Sequence, residues 1–453
     1  MKLTVKRSQV LIALLLCTLS NQWGYGQKKN DAETIEHRNQ RMQWWTNDRF
    51  GMFIHFGLYS LAARGEWVKN IERMTNEQYQ TYFNRFNPDK LAIREWMQHA
   101  KEAGMKYVVL TTKHHEGFCL FDSKYTDYKV TNTPYKKDII AEYVAAAREA
   151  GLKVGFYYSL IDWHHPDFTI DWLHPQRPGN DSLYASLNRG KDMNRYRLYL
   201  YNQVQELLTN YGKIDILWLD MSYGEATGKG RKDWDSPHLV QMIRRLQPQI
   251  ILNDRMELGQ NEGGADFETP EQVGPDELTK YKGKYFETCQ TFSGLWGYSR
   301  DENTWKNTRQ LLDILISSVA NGGNLILNVG PTGRGSFDPR ALNALHAMGA
   351  WMNENSQSIY GCGSAPADFI APPGTKLTYN KELHKLYIHL FEYPWTGTLA
   401  FQNFGGKVTY AQFLHDYSQL VISPHQPNDN KIKLILPKEK PAVEIPVIEL
   451  TLK

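Results

Sequence analysis

The sequence predicts an α/β protein: a (β/α)8-like, TIM-type barrel followed by a C-terminal antiparallel β-sandwich. Three observations predict it. Short strand-like runs alternate with helical stretches from Phe50 to about Met352, the pattern of repeated βα units. No glycine-rich G-x-G-x-x-G loop follows any of these runs, which argues against an open dinucleotide-binding sheet. After Gly363 the texture changes to alternating runs separated by Gly, Pro, Asn and Asp turns, as in a small antiparallel domain.

Taken in order, Phe50 to Gly57 is the first buried run. Asp89 to Ala103 follows with Ile93, Trp96, Met97 and Ala100 on one helical face, and Gly104 ends it. Tyr107 to Thr112 is a strand, and Asp138 to Ala150 a helix with Asp138 as its N-cap. Val154 to Leu160 is a strand, and Asp192 to Tyr211 a long helix closed by Gly212. The next run, Lys213 to Met221, is almost continuously apolar and reads as a strand buried on both faces. Alternation places Ile214, Ile216, Trp218 and Asp220 on one face of it. A helix opens at Ser236-Pro237, with Ser236 as N-cap and proline at the first position. Ile250 to Asn253 is a short strand, Thr304 to Ala320 a helix, Asn324 to Gly330 a strand, and Asp338-Pro339 opens a last helix. The alternating runs Lys376 to Tyr379, Leu386 to Phe391, Thr398 to Phe401 and Lys431 to Leu436 follow.

Composition narrows the function. A net charge of +3 in 453 residues is too balanced to imply a nucleic-acid partner. Aromatics are plentiful, 13 Trp, 26 Tyr and 18 Phe. Rings of this kind suit both a core and the apolar faces of sugars. Residues 1–26 carry Lys2, Lys6 and Arg7, then the apolar run Val10 to Leu19, then small residues near Gly24 and Gly26. That is the pattern of a secretory signal peptide, and the run is too short to span a membrane. Cys17 follows Leu14-Leu15-Leu16, a poor match to a lipoprotein site. The expected organisation is a signal peptide (1–26), a barrel (27–362) and a sandwich (363–453), in a secreted, periplasmic protein. Its Cys119, Cys289 and Cys362 form no paired framework.

Candidate chemistry gathers at the C-terminal ends of the strand-like runs, where a parallel barrel opens. They offer His55, then Glu66 and Trp67, then Lys113-His114-His115-Glu116, then Tyr157-Tyr158, then Trp218 and Asp220, then Asp254-Arg255. Glu268, Glu271, Glu287 and Trp296 come later. Together they describe a polar pocket rimmed by aromatics. Three readings compete for it. A metal hydrolase would use the histidines, yet His114 and His115 are neighbours, and regular β geometry sends neighbours to opposite faces. No His-Glu-x-x-His pair is present either, so no metal is expected. A non-catalytic sugar-binding barrel needs the rings but no acid pair. A glycosidase needs one ionised carboxylate and one protonated carboxyl flanking the anomeric carbon; Asp220 and the later glutamates supply both.

The runs Phe53-Ile-His-Phe-Gly-Leu-Tyr-Ser60, Gly65-Glu-Trp67, Lys113-His-His-Glu-Gly-Phe118, Gly155-Phe-Tyr-Tyr-Ser159, Leu217-Trp-Leu-Asp220, Asn253-Asp-Arg255, Trp296-Gly-Tyr298 and Asn321 to Pro331 occur in one order along residues 40–362. Together they resemble the α-L-fucosidases of glycoside hydrolase family 29. The resemblance implies a retaining exo-enzyme acting on fucosylated glycans without cofactor, with Asp220 as nucleophile. It implies His55, Glu66, Trp67, His114, His115, Tyr158 and Arg255 as ligands of the fucose hydroxyls, and Trp218 and Trp296 as apolar walls. Tyr157, on the opposite face from Tyr158, reads as core. The acid/base is drawn from three glutamates: Glu271, closing Asp266-Phe-Glu-Thr-Pro-Glu, is favoured over Glu287, with Glu268 behind both. A related sugar such as an α-galactoside, or a binding protein without catalysis, are the alternatives. Oligomeric state is not legible.

Overall fold

The computed structural model describes residues 33–224, 228–423 and 430–453. The expected signal peptide lies outside the described residues. Among those described, no helix is long and apolar enough to cross a membrane.

Seven parallel strands form a curled sheet: β1 Phe50–Ile54, β2 Tyr107–Lys113, β3 Lys153–Ser159, β4 Ile216–Asp220, β5 Ile251–Leu252, β6 Glu287–Thr291 and β7 Asn324–Val329, in the order β5-β4-β3-β2-β1-β7-β6. Their residues are buried almost throughout because helices cover the outer face, as parallel sheets require. Several helices start where the sequence predicts: Asp138 accepts from the Ala141 amide and Asp192 from that of Asn194. The helix Ser236–Leu246 differs, since Asp235, not Ser236, is its N-cap. β6 is missing from the sequence reading for a physical reason. Its residues Glu-Thr-Cys-Gln-Thr show no apolar alternation, yet all are buried and laddered to β7.

Among the described residues, no eighth regular strand closes the sheet. Instead the segment Phe267 to Glu271 lies between β5 and β6, bridging Asn253 on one side and Phe286 and Cys289 on the other. Pro270 accepts from the Cys289 amide but has no amide of its own to give, so the ladder here is incomplete. Asp266 anchors this irregular stave. Its carboxylate accepts from Arg41 at 2.6 and 2.9 Å, from Arg244 at 2.7 Å and from the Leu252 amide at 2.8 Å. Burial opposes its ionisation, but the two guanidiniums hold its pKa below the usual carboxylate value.

The barrel interior is packed, not hollow. Phe53, Tyr107, Val109, Tyr157, Ile216, Trp218, Ile251, Phe267, Cys289 and Ile326 form one inner cluster, closed at its floor by Met42 and Trp45 of the helix Ile35–Asp48. The remaining strands build the sandwich: β8 Gly363–Ser364, β9 Thr375–Asn380, β10 Lys385–Leu390, β11 Thr398–Gln402, β12 Val408–Phe413, β13 Val421–Ile422, β14 Lys431–Ile435 and β15 Val447–Leu452. A five-stranded sheet, β12-β15-β10-β9-β8, packs Leu386, Ile388 and Leu450 against Leu399, Phe401 and Leu434 of the three-stranded sheet β11-β14-β13. Tyr387, Ile445 and Val447 join the barrel's own core. Cys119, Cys289 and Cys362 are free and buried.

Candidate active site

Strand register decides which side chains reach the mouth. β3 and β4 pair Tyr157 with Trp218 and Ser159 with Asp220, so these four share the inner face. Of these, Tyr157, Trp218 and Asp220 meet Phe53, His55, Trp67, His114, His115, Met221, Arg255, Glu271 and Trp296 around a pocket of about 70 Å³. A larger hollow of about 930 Å³ lies between the helices Ile35–Asp48 and Ser236–Leu246. The carboxylates lining it, Glu33, Glu262 and Asp266, are each engaged by an arginine: Arg41 on Glu33, Arg231 on Glu262, and Arg41 and Arg244 on Asp266.

Asp220 ends β4 at the base of the pocket. Tyr157 donates its hydroxyl to Asp220 Oδ2 at 2.8 Å, and Arg255 Nη1 donates to Oδ1 at 3.3 Å. Burial raises the carboxyl pKa, while Arg255 and the Tyr157 hydroxyl pull it back. The other end of the same guanidinium donates to Glu271 Oε2 at 2.7 Å, so one cation spans two carboxylates. Thr269 holds that cation in turn: it accepts from Arg255 Nε at 2.9 Å and donates to Asp254 at 2.6 Å. Glu271 is the more open of the two acids, its side chain 41% exposed against 13% for Asp220.

The three pocket histidines are neutral. Burial drives His55 and His115 well below the usual imidazole value, and His114 to about 3. Their partners set the tautomers. Asn328 donates its amide to Trp296 O at 2.6 Å, so its oxygen faces His55 Nδ1 at 2.6 Å and accepts. Ser159 donates to Ile161 O at 2.8 Å and therefore accepts from His115 Nδ1 at 2.8 Å. Nε2 is then left as an acceptor on both rings. His115 Nε2 stands 4.0 Å from Asp220 Oδ2.

A family model described as alpha-L-fucosidase matches residues 16–357. The chain belongs to the α-L-fucosidase family, glycoside hydrolase family 29. Among solved structures of the family, alpha-L-fucosidase isoenzyme 1 from Paenibacillus thiaminolyticus superposes with a TM-score of 0.84 at 42% identity, covering 92% of this chain and 99% of that one. A family 29 alpha-L-fucosidase from Bacteroides thetaiotaomicron gives 0.78 at 30% identity, covering 91% and 95%. That enzyme has also been captured as a covalent intermediate with 2-fluoro-fucosyl fluoride in a glutamate-to-glutamine mutant. Among curated sequences, the alpha-L-fucosidase of Dictyostelium discoideum is 27% identical over 82% of each chain.

Against this family background, several expectations need correction. Tyr158 does not reach the pocket: it pairs in register with Leu219, faces the helices and donates to Gln203 at 2.9 Å. Tyr157, read as core, takes the place at Asp220. Glu287 does not reach the pocket either. It is fully buried below Trp218, accepting from Tyr107 at 2.5 Å and from the indoles of Trp45 and Trp218 at 3.3 Å each, with its pKa pushed up to about 7 by burial. His114 and His115 do converge, with ring centroids 3.8 Å apart. They lie beyond the last residue of β2, in a turn closed by Gly117 N–H donating to His114 O. Gly117 has φ +85° and no room for a Cβ beside Asp162, so only glycine makes that turn.

The remaining residues are placed more simply. Glu66 is buried behind the lining and accepts from the amides of Trp296 and Gly297 at 3.1 and 2.7 Å. It shapes the wall instead of lining it. Glu268 points away and pairs with Lys284 at 2.9 Å. Trp67, Trp218 and Trp296 form walls, with Arg255 5.2 Å above the Trp218 ring. Sequence reasoning missed Met221 and Asn328. Asn328 was findable by parity, two residues beyond Ile326 on the same face of β7.

Proposed function

We propose that the chain is a retaining exo-α-L-fucosidase in which Asp220 is the nucleophile and Glu271 the acid/base. The observation that carries this is the bridge of one guanidinium between a strand-end carboxylate at the pocket base and a half-exposed glutamate at its rim. Two carboxyls this closely tied suit the short separation of retaining glycosidases, about 5 Å. Glu271 protonates the glycosidic oxygen as an Asp220 oxygen attacks C1; the C1–O bond breaks and the leaving group departs as an alcohol. Glu271 then takes a proton from water, whose oxygen attacks C1 and releases the Asp220 carboxylate. Tyr157 and Arg255 stabilise the charge that returns to Asp220. Neutral His55 and His115 accept from sugar hydroxyls through Nε2, with His114 beside them in the lining, and Arg255 donates to the hydroxyls. Trp67, Trp218 and Trp296 give apolar faces to a deoxy sugar, with Glu66 and Glu287 setting the walls from behind. The pattern of residues 1–26 supports export to the periplasm as a signal peptide, with a barrel from 27 to 362 and a sandwich from 363 to 453 acting on glycan-borne fucose.

A 2-fluoro-fucosyl fluoride probe tests the assignment, because fluorine slows both steps and lets the ester accumulate. One label per chain is expected on the peptide containing Trp218 to Met221, and none on Asp220→Asn. Labelling elsewhere, or inverted product by NMR, would overturn it.

A further inference from the structure

The pocket has room for little more than one sugar, so the rest of a glycan must rest on its rim. We propose that Trp172, supported by Tyr223, is the platform for the first sugar of the leaving group, which makes it a specificity-determining residue outside the fucose pocket. The inference rests on the fucosidase reading above.

Trp172 is a large apolar side chain left 42% exposed. A single exposed hydrophobe ordinarily means nothing. This one differs in how it is held and what it adjoins. Its ring meets Tyr223 edge-on, centroids 5.6 Å apart and planes at 80°. Tyr223 in turn donates its hydroxyl to Asp171 at 2.8 Å, and Asp171 forms a buried ion pair with Lys229. Lys229 also donates to Thr169 O at 2.8 Å and lies over the Phe168 ring. Taking two charges out of water is costly, and here the pair's geometric effect is to lock the loop after β3 to the loop after β4.

Both neighbours of the platform lead directly to the pocket. Tyr223 is two residues beyond Met221, which lines it. On the other side Asn70 donates its side-chain amide to Leu173 O, next to Trp172. Asn70 lies in the short helix that begins immediately after Trp67, another lining residue. Trp172 thus sits on a loop stitched on one flank to the Trp67 wall and on the other to the Met221 wall. An indole held in place with a free face suits the apolar face of a sugar ring. Being ordered before binding, it costs little entropy when the sugar arrives.

The test compares two fucosyl donors on Trp172→Ala and Trp172→Tyr. α-L-Fucosyl fluoride has a leaving group too small to use a platform; a panel of fucosylated oligosaccharides carries sugars that need one. For Trp172→Ala, kcat/KM on the oligosaccharides should fall roughly 10- to 100-fold, mostly through KM, while fucosyl fluoride stays within about twofold. Trp172→Tyr should recover most of the loss. An equal fall on both donors, or no fall on either, would overturn the platform. So would a wild-type enzyme that cleaves the fluoride but none of the oligosaccharides. A wild-type enzyme inert toward fucosyl fluoride would instead remove the fucosidase reading, and the platform with it.

Discussion

Glu271 and Glu287 stand one above the other in the barrel, and the difference between their surroundings separates its mouth from its floor. Both lie on the side where the irregular stave meets β6. At the floor, Glu287 is sealed from water and accepts from a phenol and two indoles. At the mouth, Glu271 has one side-chain partner, Arg255, which it shares with Asp220. A carboxyl sealed in and surrounded by donors organises its neighbours; one that is half open with a shared partner remains free to exchange a proton. The chemistry follows access, not residue type.

The sharpest way to break this comparison is to remove each acid. Glu271→Ala should cut turnover of fucosylated oligosaccharides by about 10²- to 10⁴-fold, with activated aryl fucosides hurt far less and rescued by azide. Glu287→Gln should leave kcat/KM within roughly tenfold, its effect passing only through the Trp218 wall. Azide rescue of Glu287→Ala but not of Glu271→Ala would reverse the assignment.

Next in size is the anchor of the stave. Asp266→Ala leaves the half-buried Arg244 guanidinium without a carboxylate and the buried Arg41 with Glu33 alone, and should cost about 3–5 kcal/mol in urea unfolding. A loss below about 1 kcal/mol would mean that the stave is held by its bridges alone.

The floor should also have its own pH signature. In the folded chain Glu287 titrates near 7, above its usual 4.5, so between those values the folded state keeps a proton that the unfolded state has released. Raising the pH through that window therefore costs stability, up to about 3 kcal/mol for so buried a group. The sign is opposite for His114, which titrates near 3 when folded against 6.5: stability is lost as pH falls from 6.5 toward 3. Thermal unfolding from pH 4.5 to 7.5 should show the stability gap between wild type and Glu287→Gln changing, with wild type losing ground as pH rises. A constant gap would contradict a protonated floor.

The smallest effect separates two adjacent tyrosines. Tyr158→Phe should lose about 1 kcal/mol, one buried hydrogen bond, and keep its kcat/KM within twofold. Tyr157→Phe should lower kcat by roughly tenfold through Asp220. Equal activity losses would put both hydroxyls in the pocket.

Much of this was legible. Alternation located six of the seven barrel strands, and the run to Asp220 placed a carboxylate at a strand end with Trp218 on the same face. The parity rule that read β4 correctly would also have chosen Tyr157 over Tyr158, had the two strands been registered against each other. His114 and His115 escaped that rule because they belong to a glycine-closed turn, where alternation has lapsed. β6 and the stave carry too little apolar patterning to be seen. They exist because neighbours satisfy their backbone, and only assembled structure supplies the neighbours.

The stave has a consequence for descent. Seven strands fix the nucleophile through continuous ladders, while the acid hangs from a segment secured by an ion-paired anchor and a few bridges. Residues can be gained or lost between Arg255 and Asp266 without disturbing any strand pairing. The count of residues from nucleophile to acid is therefore free to drift during evolution while the distance between them in space is kept, and an acid sought by spacing alone will be misplaced.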